Sequence, residues 1–269
     1  GTVVLAAVVG AAAALGVVRA TGGWGNRTVV QQQQQQQQGD RTSGFGDRPA
    51  DIQGVLARVL PSVVSIDAES PASPFFRGKG AQVTRAFGTG IVVTADGDVV
   101  TNDHVVDGAS SVTVEVAGSG GTFPATVVYE EPLEDLAVLH LSGATGLVPA
   151  VLGDSTRVAV GDGVLAIGFA LALSGAPSVT SGIVSAVGRA VPSTTASGLS
   201  FTMKDMIQTD AAVSSGNSGG PLVDDAAEVI GINTLVAVSS GAVTAQNIGF
   251  AVPSATIAEL LAAHRSGGP

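Results

Sequence analysis

Gly216-Asn217-Ser218-Gly219-Gly220-Pro221 places one serine hydroxyl among three glycines, on a turn that only a nearly side-chain-free backbone can make. Glycine permits positive φ and lets another chain approach closely. A serine presented this way, with free backbone N–H groups beside it, suits acyl transfer. The hydroxyl attacks a carbonyl, and the amides of Gly216 and Ser218 hold the oxyanion that forms. Taken alone, the hexapeptide reads equally well as a Gly/Ser-rich β-turn. Its meaning depends on whether the chain also supplies a base and an orienting acid.

The chain has three histidines, His104, His140 and His264. His104 lies in Val99-Val100-Thr101-Asn102-Asp103-His104-Val105-Val106, where an apolar strand runs into a short polar stretch. That reads as a strand end opening onto a surface, where function tends to sit. His140 follows Asp135-Leu136-Ala137-Val138-Leu139; strict alternation puts it on a face with Leu136 and Val138, a structural position near solvent. His264 falls at the end of a C-terminal helix, where an imidazole meets exposed carbonyls. His104 is therefore the base by elimination and by context. An orienter, normally a carboxylate, fixes the imidazole tautomer. Glu130, Glu131, Glu134 and Asp135 cluster between two apolar segments. A solvated acidic turn is the plain reading of all four. Asp135 directly precedes an apolar run and is fixed by the strand it begins, whereas the glutamates are longer, looser side chains in a loop.

The order along the chain is His104, Asp135, Ser218. It matches the chymotrypsin arrangement, not the subtilisin or α/β-hydrolase orders. At this point the chain resembles a trypsin-like serine protease of the HtrA (Deg) type. The resemblance is carried by Pro61 to Ile66, Gly88-Thr89-Gly90-Ile91-Val92, Thr101 to Val106, Asp135 to Leu139, Gly182 to Ser185, Gln208 to Ala212, Gly216 to Leu222, Gly231 to Thr234 and Ile248 to Pro253. These segments appear in the family's order across roughly residues 52 to 265. The resemblance implies an all-β protein of two six-stranded antiparallel Greek-key barrels, the chymotrypsin fold, with short terminal helices. It implies polypeptide substrates, no cofactor, and a homotrimer as the assembly. It selects Asp135 as the orienter. Two departures stand out. Family members commonly carry PDZ domains after the protease, and none is visible before Pro269, so nothing that such modules do carries over. The family usually has a second asparagine where Asp103 stands; on extended backbone the Asp103 side chain would face away from His104.

Composition fits a large β-domain. Hydrophobic residues make up 45% of the 269 and charged residues 13%, enough apolar material for a substantial core. Aromatics are only 4%, so Val, Ala, Ile and Leu must fill it. β-branched residues favour strands, and the 37 glycines imply many turns. The net charge of −10, without a Lys/Arg stripe, argues against a nucleic-acid partner. There are no cysteines, so stability rests on core size. No Cys/His cluster and no calcium-loop spacing indicate a metal site.

Thr2 to Val18 is uncharged and mostly Ala, Val, Leu and Gly. As a helix it would span about 26 Å, near the lower limit for a membrane crossing. Residues 1–19 read as a single-span anchor, with a cleaved signal peptide and a buried helix as the competing readings. The resemblance places the protease domain outside the cytoplasmic membrane, at the cell membrane or secreted. Residues 20–50, with an uninterrupted glutamine run from Gln31 to Gln38, read as a disordered linker. Trp24 just past the apolar segment suits a membrane interface. The protease domain is expected over 51–267. A helix capped by Asp51 places Ile52, Val55, Leu56 and Val59 at helical spacing, closed by Pro61. The first barrel is expected over about 62–145 and the second over about 158–252, with the site in the cleft between them. Ser254 is expected to cap a last helix with Ile257, Leu260 and Leu261 on one face, ending near Gly267.

By resemblance, a strand after the nucleophile pairs with substrate backbone and shapes the primary pocket; Thr234, Leu235 and Val236 match it, with Ile248 and Phe250 behind. No acid stands there to select Lys or Arg. Cleavage after small or medium aliphatic residues is the expectation, with loose discrimination of about 1–3 kcal/mol per methylene. Gly/Ser-rich stretches around 70–86, 170–180 and 188–205 correspond to the family's activation and specificity loops, or to plain surface loops. A binding module or holdase on the same barrels, and an esterase using the same three side chains, are the rival functions.

Overall fold

The computed structural model describes residues 51–71, 84–117, 121–169, 175–194, 198–234, 239–240, 243–244 and 247–267. The apolar run Thr2–Val18, the glutamine tract, Trp24, Leu235 and Val236 lie outside them. Among the described residues no helix is long and apolar enough to cross a membrane.

The chain enters through helix α1, Ile52–Val59. The Asp51 carboxylate accepts the Gly54 N–H at 2.8 Å, satisfying one of the helix's orphan donors. Val55 and Val59 are buried on its inner face. A 3-10 turn, Leu60–Ser62, carries Pro61 at its start and feeds the first strand.

Six strands then close on themselves: β1 Val63–Ser70, β2 Thr84–Val92, β3 Asp98–Thr101, β4 Ser111–Val116, β5 Thr122–Glu131 and β6 Leu136–Leu141. Their order around the barrel is β1-β2-β3-β6-β5-β4. Antiparallel pairing of β4 back onto β1 (Ile66 opposite Val114) shuts the ring, so no edge strand is left. Between β3 and β4 a single helical turn, α2 Asp103–Val106, carries His104. The second barrel uses β7 Gly163–Gly168, β8 Ser178–Thr194, β9 Ser200–Thr209, β10 Pro221–Val223 and β11 Val229–Thr234. A small two-stranded ribbon, β12 Ser239–Ser240 with β13 Val243–Thr244, precedes β14 Gly249–Pro253. The order is β10-β11-β14-β9-β8-β7, closed by β7 on β10. Helix α3, Ser254–Arg265, ends the described chain. The all-β, two-barrel architecture expected from the resemblance is the one observed.

Strand alternation explains where the core sits. On one face of β6, Ala137, Leu139 and Leu141 join Val64, Ile66, Val99 and Val114 inside the first barrel. On its other face, Leu136 and Val138 join Leu165, Ile167, Ile232 and Val252 of the second barrel, together with Val55, Val59, Ile257 and Leu260 from the helices. Strands buried on both sides read as unbroken apolar runs, as Leu136 to Leu139 does. Each fully buried Val, Ile or Leu contributes about 1.5–3 kcal/mol, and a core of many such residues stabilises this cysteine-free chain.

Four local expectations are corrected. His104 stands on a helical turn rather than on a strand end, because the Asp107 N–H returns to the Asp103 carbonyl at 2.8 Å. Glu130 and Glu131 belong to β5, not to a loop. Most of 188–205 is paired strand, since β8 and β9 run on as a long ribbon from Arg189 opposite Met206 to Thr194 opposite Ser200. Ser254 does not cap α3: the cap position is Pro253, and the Ser254 hydroxyl instead donates to the Gly153 carbonyl at 2.7 Å and accepts the Ser155 N–H at 3.1 Å.

Candidate active site

Asp135 sits where β5 turns into β6, with φ of +53°, a left-handed conformation that short polar side chains tolerate best. The Asn102 side-chain amide donates to its carbonyl at 2.8 Å, and the His104 backbone N–H donates to its Oδ1 at 3.1 Å. The His104 ring meets both carboxylate oxygens, Nδ1 lying 2.9 Å from Oδ1 and 3.0 Å from Oδ2. A carboxylate only accepts, so the ring proton sits on Nδ1 and Nε2 keeps its lone pair. The Thr234 hydroxyl adds a third donor, to Oδ2 at 2.7 Å. Asp135 is buried, and all the donors its charge needs are in place.

The His104 side chain keeps 44% of its surface open to solvent, while protein packs the rest. That packing opposes its charged form; the hydrogen bond and charge of Asp135, with the charge of Asp103, outweigh it and hold the imidazole above its ordinary value. Asp103 is itself buried and one of its oxygens has no partner. Burial, then the charges of Glu130, Asp107 and Asp135, push its carboxyl up to about 7, against the pull of His104. The extended-backbone premise for Asp103 does not hold: it stands on a helical turn, and its charge acts on His104.

The loop carrying Ser218 comes from the second barrel, between β9 and β10. Gly216 has φ of +95° and Gly219 of +84°, where any side chain would be strained. A methyl on Gly219 would also fall on the Thr89 carbonyl and the Thr101 hydroxyl of the first barrel. Asn233 fastens the loop from below: its carbonyl accepts the Gly219 N–H at 2.9 Å and its N–H donates to Gly220 at 2.8 Å. From the first barrel, the Thr89 N–H donates to the Ser218 carbonyl at 2.9 Å. A methyl on Gly88 would stand 2.6 Å from Val105 and 3.3 Å from that same carbonyl. Ser218, itself only 4% exposed, is therefore seated beside the turn that carries His104 and Val105.

The structure thus joins His104 to Asp135 and brings the Ser218 carbonyl near Val105 of the same turn, both beside Gly88. It sets His140 apart, exposed and bonded to Asp98 at 2.9 Å, and His264 against the Tyr129 ring with centroids 6.1 Å apart. Of the expected pocket residues, Thr234 is buried with its hydroxyl on Asp135, Phe250 is buried and Ile248 is exposed. Asn102, Thr89 and Asn233 carry no individual signal in the sequence. Their quoted motifs gave the only signal, since their partners lie far along the chain. No group of three or more His, Cys, Asp or Glu side chains among the described residues forms a metal site.

Two closed six-stranded barrels with an Asp-held imidazole and a glycine-turned serine at their junction define a class of chymotrypsin-like proteins. Residues 88–232 match the family model described as a trypsin-like peptidase domain. The chain belongs to that family, and it is similar to proteases of the HtrA/Deg type. It is 38% identical over 218 residues to the serine protease PepD of Mycobacterium tuberculosis, covering 76% of this chain and 44% of the relative. It is 37% identical over 245 residues to the periplasmic serine endoprotease DegP of Escherichia coli K12, covering 77% and 49% respectively. A solved HtrA-type protease, AlgW with a tripeptide, superposes with a TM-score of 0.63 at 35% identity, covering 78% of this chain and 62% of that one. The chain spans about half the length of the curated relatives it matches.

Proposed function

We propose that this chain is a serine endopeptidase that cleaves unfolded polypeptides outside the cytoplasmic membrane. The observation that carries the reading is the hold on His104: Nδ1 on both oxygens of Asp135, with Thr234 steadying one of them, leaves Nε2 as the free base at the turn against which Ser218 is laid. Nε2 takes the Ser218 proton as Oγ attacks the substrate carbonyl. The N–H groups of Gly216 and Ser218 receive the oxyanion. His104 then protonates the leaving amine, and an acyl-enzyme remains on Oγ. Water, deprotonated by the same nitrogen, releases the acid and restores the serine. Asp135 keeps the tautomer and stabilises the imidazolium without becoming protonated.

Thr234, Leu235 and Val236 form the substrate edge in this reading, and the absence of an acid among them favours small or medium aliphatic residues before the cut. Thr2–Val18 serves as an anchor or export signal, in keeping with relatives whose names call them periplasmic. A homotrimer and a role in envelope protein quality control rest on the resemblance; sedimentation of the purified protein reads the first. A fluorophosphonate probe followed by denatured casein tests the activity. Labelling of Ser218 with casein cleaved after Val, Ala or Leu supports the reading. An unlabelled protein that still holds unfolded casein makes it a holdase, labelling with intact casein makes it an esterase, and dominant cleavage after Arg or Lys removes the pocket assignment.

A further inference from the structure

The Ser218 loop belongs to the second barrel, whereas His104 and Asp135 belong to the first. Something must set the register between them, and one buried residue of β2 bonds to both barrels. Thr89 lies between two glycines; methyls on Gly88 and Gly90 would stand 2.6 Å from Val105 and 2.7 Å from Val99, so the backbone is pressed against the first barrel and the threonine side chain takes the opposite side. The ladder from β2 to β3 starts only at Ile91 opposite Val100, which leaves the Thr89 edge open, and the Ser218 loop occupies it. Every hydrogen-bonding group of Thr89 is engaged. Its hydroxyl donates to the Gly216 carbonyl at 2.7 Å and accepts the Phe169 N–H, just past β7, at 2.9 Å. Its own N–H donates to the Ser218 carbonyl at 2.9 Å, and its carbonyl accepts the Thr101 hydroxyl at 2.7 Å.

Gly216 has no side chain to restrain its rotation and stands at φ of +95°. The Thr89 hydroxyl on its carbonyl, together with the Asn217 N–H donating to the Ser214 carbonyl at 2.9 Å, limits the peptide between the two oxyanion-binding amides. We propose that Thr89 is a positioning residue for acyl transfer: by gripping the Gly216 and Ser218 carbonyls from the first barrel, it fixes the nucleophile loop against the His104 turn. This inference rests on the Ser218–His104–Asp135 reading above. Thr89 touches no reacting atom and acts through the loop.

Removing the hydroxyl leaves both the Gly216 carbonyl and the Phe169 N–H without a buried partner. In the full chain, Thr89→Val is expected to lower kcat on a peptide substrate about ten- to a hundredfold with KM within threefold, and to slow phosphonylation of Ser218 by the same factor. Thr89→Ser, which keeps the hydroxyl, restores both to within threefold of the parent. Ser62→Ala, which removes a buried hydroxyl bonded to Val59 at 2.7 Å, serves as the stability control and lowers Tm without moving kcat. If Thr89→Val does not fold, Thr101→Val decides: freeing the Thr89 carbonyl must lower kcat in the same direction. Unchanged kcat in a folded Thr89→Val or Thr101→Val protein, or a loss no larger than the unfolded fraction explains, overturns the inference. A parent protein that never labels at Ser218 removes the underlying reading and the inference with it; a labelled parent beside a fully active Thr89→Val removes the inference alone.

Discussion

Asp103→Asn should stabilise the protein in alkaline solution and not in acid. Asp103 is only 7% exposed, its carboxyl has an unpartnered oxygen, and burial pushes that carboxyl up to about 7 from its ordinary 3.8. The folded state therefore holds more protons than the unfolded state between those values. Stability falls as pH rises through that window, and above it the folded chain carries a buried, underpartnered charge. The charged and turned groups around it offer little relief. Glu130 from β5, Asp135 ahead of β6 and Asp107 on its own turn are all acidic, and only His104 opposes them. Arg85 on β2 is engaged with Asp67 and Glu69 of β1. Raising the carboxyl from its ordinary 3.8 to about 7 corresponds to a ceiling of about 4 kcal/mol. Relaxation and water penetration bring the expected gain to about 1–2 kcal/mol. Asparagine has the same shape and no charge. By calorimetry, Asp103→Asn should raise Tm by about 2–8 °C at pH 8, and the gain should vanish near pH 4. The acid limb of kcat/KM should also move to lower pH, because the Asp103 charge helps keep His104 protonated. A Tm difference that does not depend on pH, or a less stable variant at pH 8, would refute the reasoning.

Asp135→Asn presents a donor where Nδ1–H needs an acceptor, and kcat should fall about 10⁴-fold with folding retained; loss under tenfold in a steady-state assay would contradict the role. Thr234→Val removes one of the donors to Asp135 and should lower kcat about five- to fiftyfold with little change in KM, read from full kinetic curves on one peptide. Leu139→Ala empties a fully buried site of the first barrel and should cost about 2–5 kcal/mol in a denaturant titration without moving the pH profile.

The sequence revealed the architecture through motifs whose physical requirements are local. The glycines around Ser218 announce positive φ, and Gly216 and Gly219 have it. The unbroken run from Leu136 to Leu139 announces a strand covered on both faces, and that is how β6 is packed. Other features stayed hidden because they depend on partners far along the chain. Nothing near Asp135 signals its left-handed backbone. The helical turn at Asp103 is set by a carbonyl–amide bond that competes with strand propagation from Val99 and Val100. Thr89 acquires its role only when the second barrel brings Gly216 and Phe169 to it. Ser254, a good cap by composition, is drawn instead to Gly153 and Ser155.

The geometry of the bond-making atoms is reached most directly by a crystal structure of the phosphonylated protein. The account predicts phosphorus on Ser218 Oγ, one phosphonyl oxygen about 2.7–3.1 Å from both the Gly216 and Ser218 N–H groups, and His104 Nε2 within hydrogen-bond reach of Oγ. An adduct on another residue, or an oxygen turned away from both amides, would contradict it.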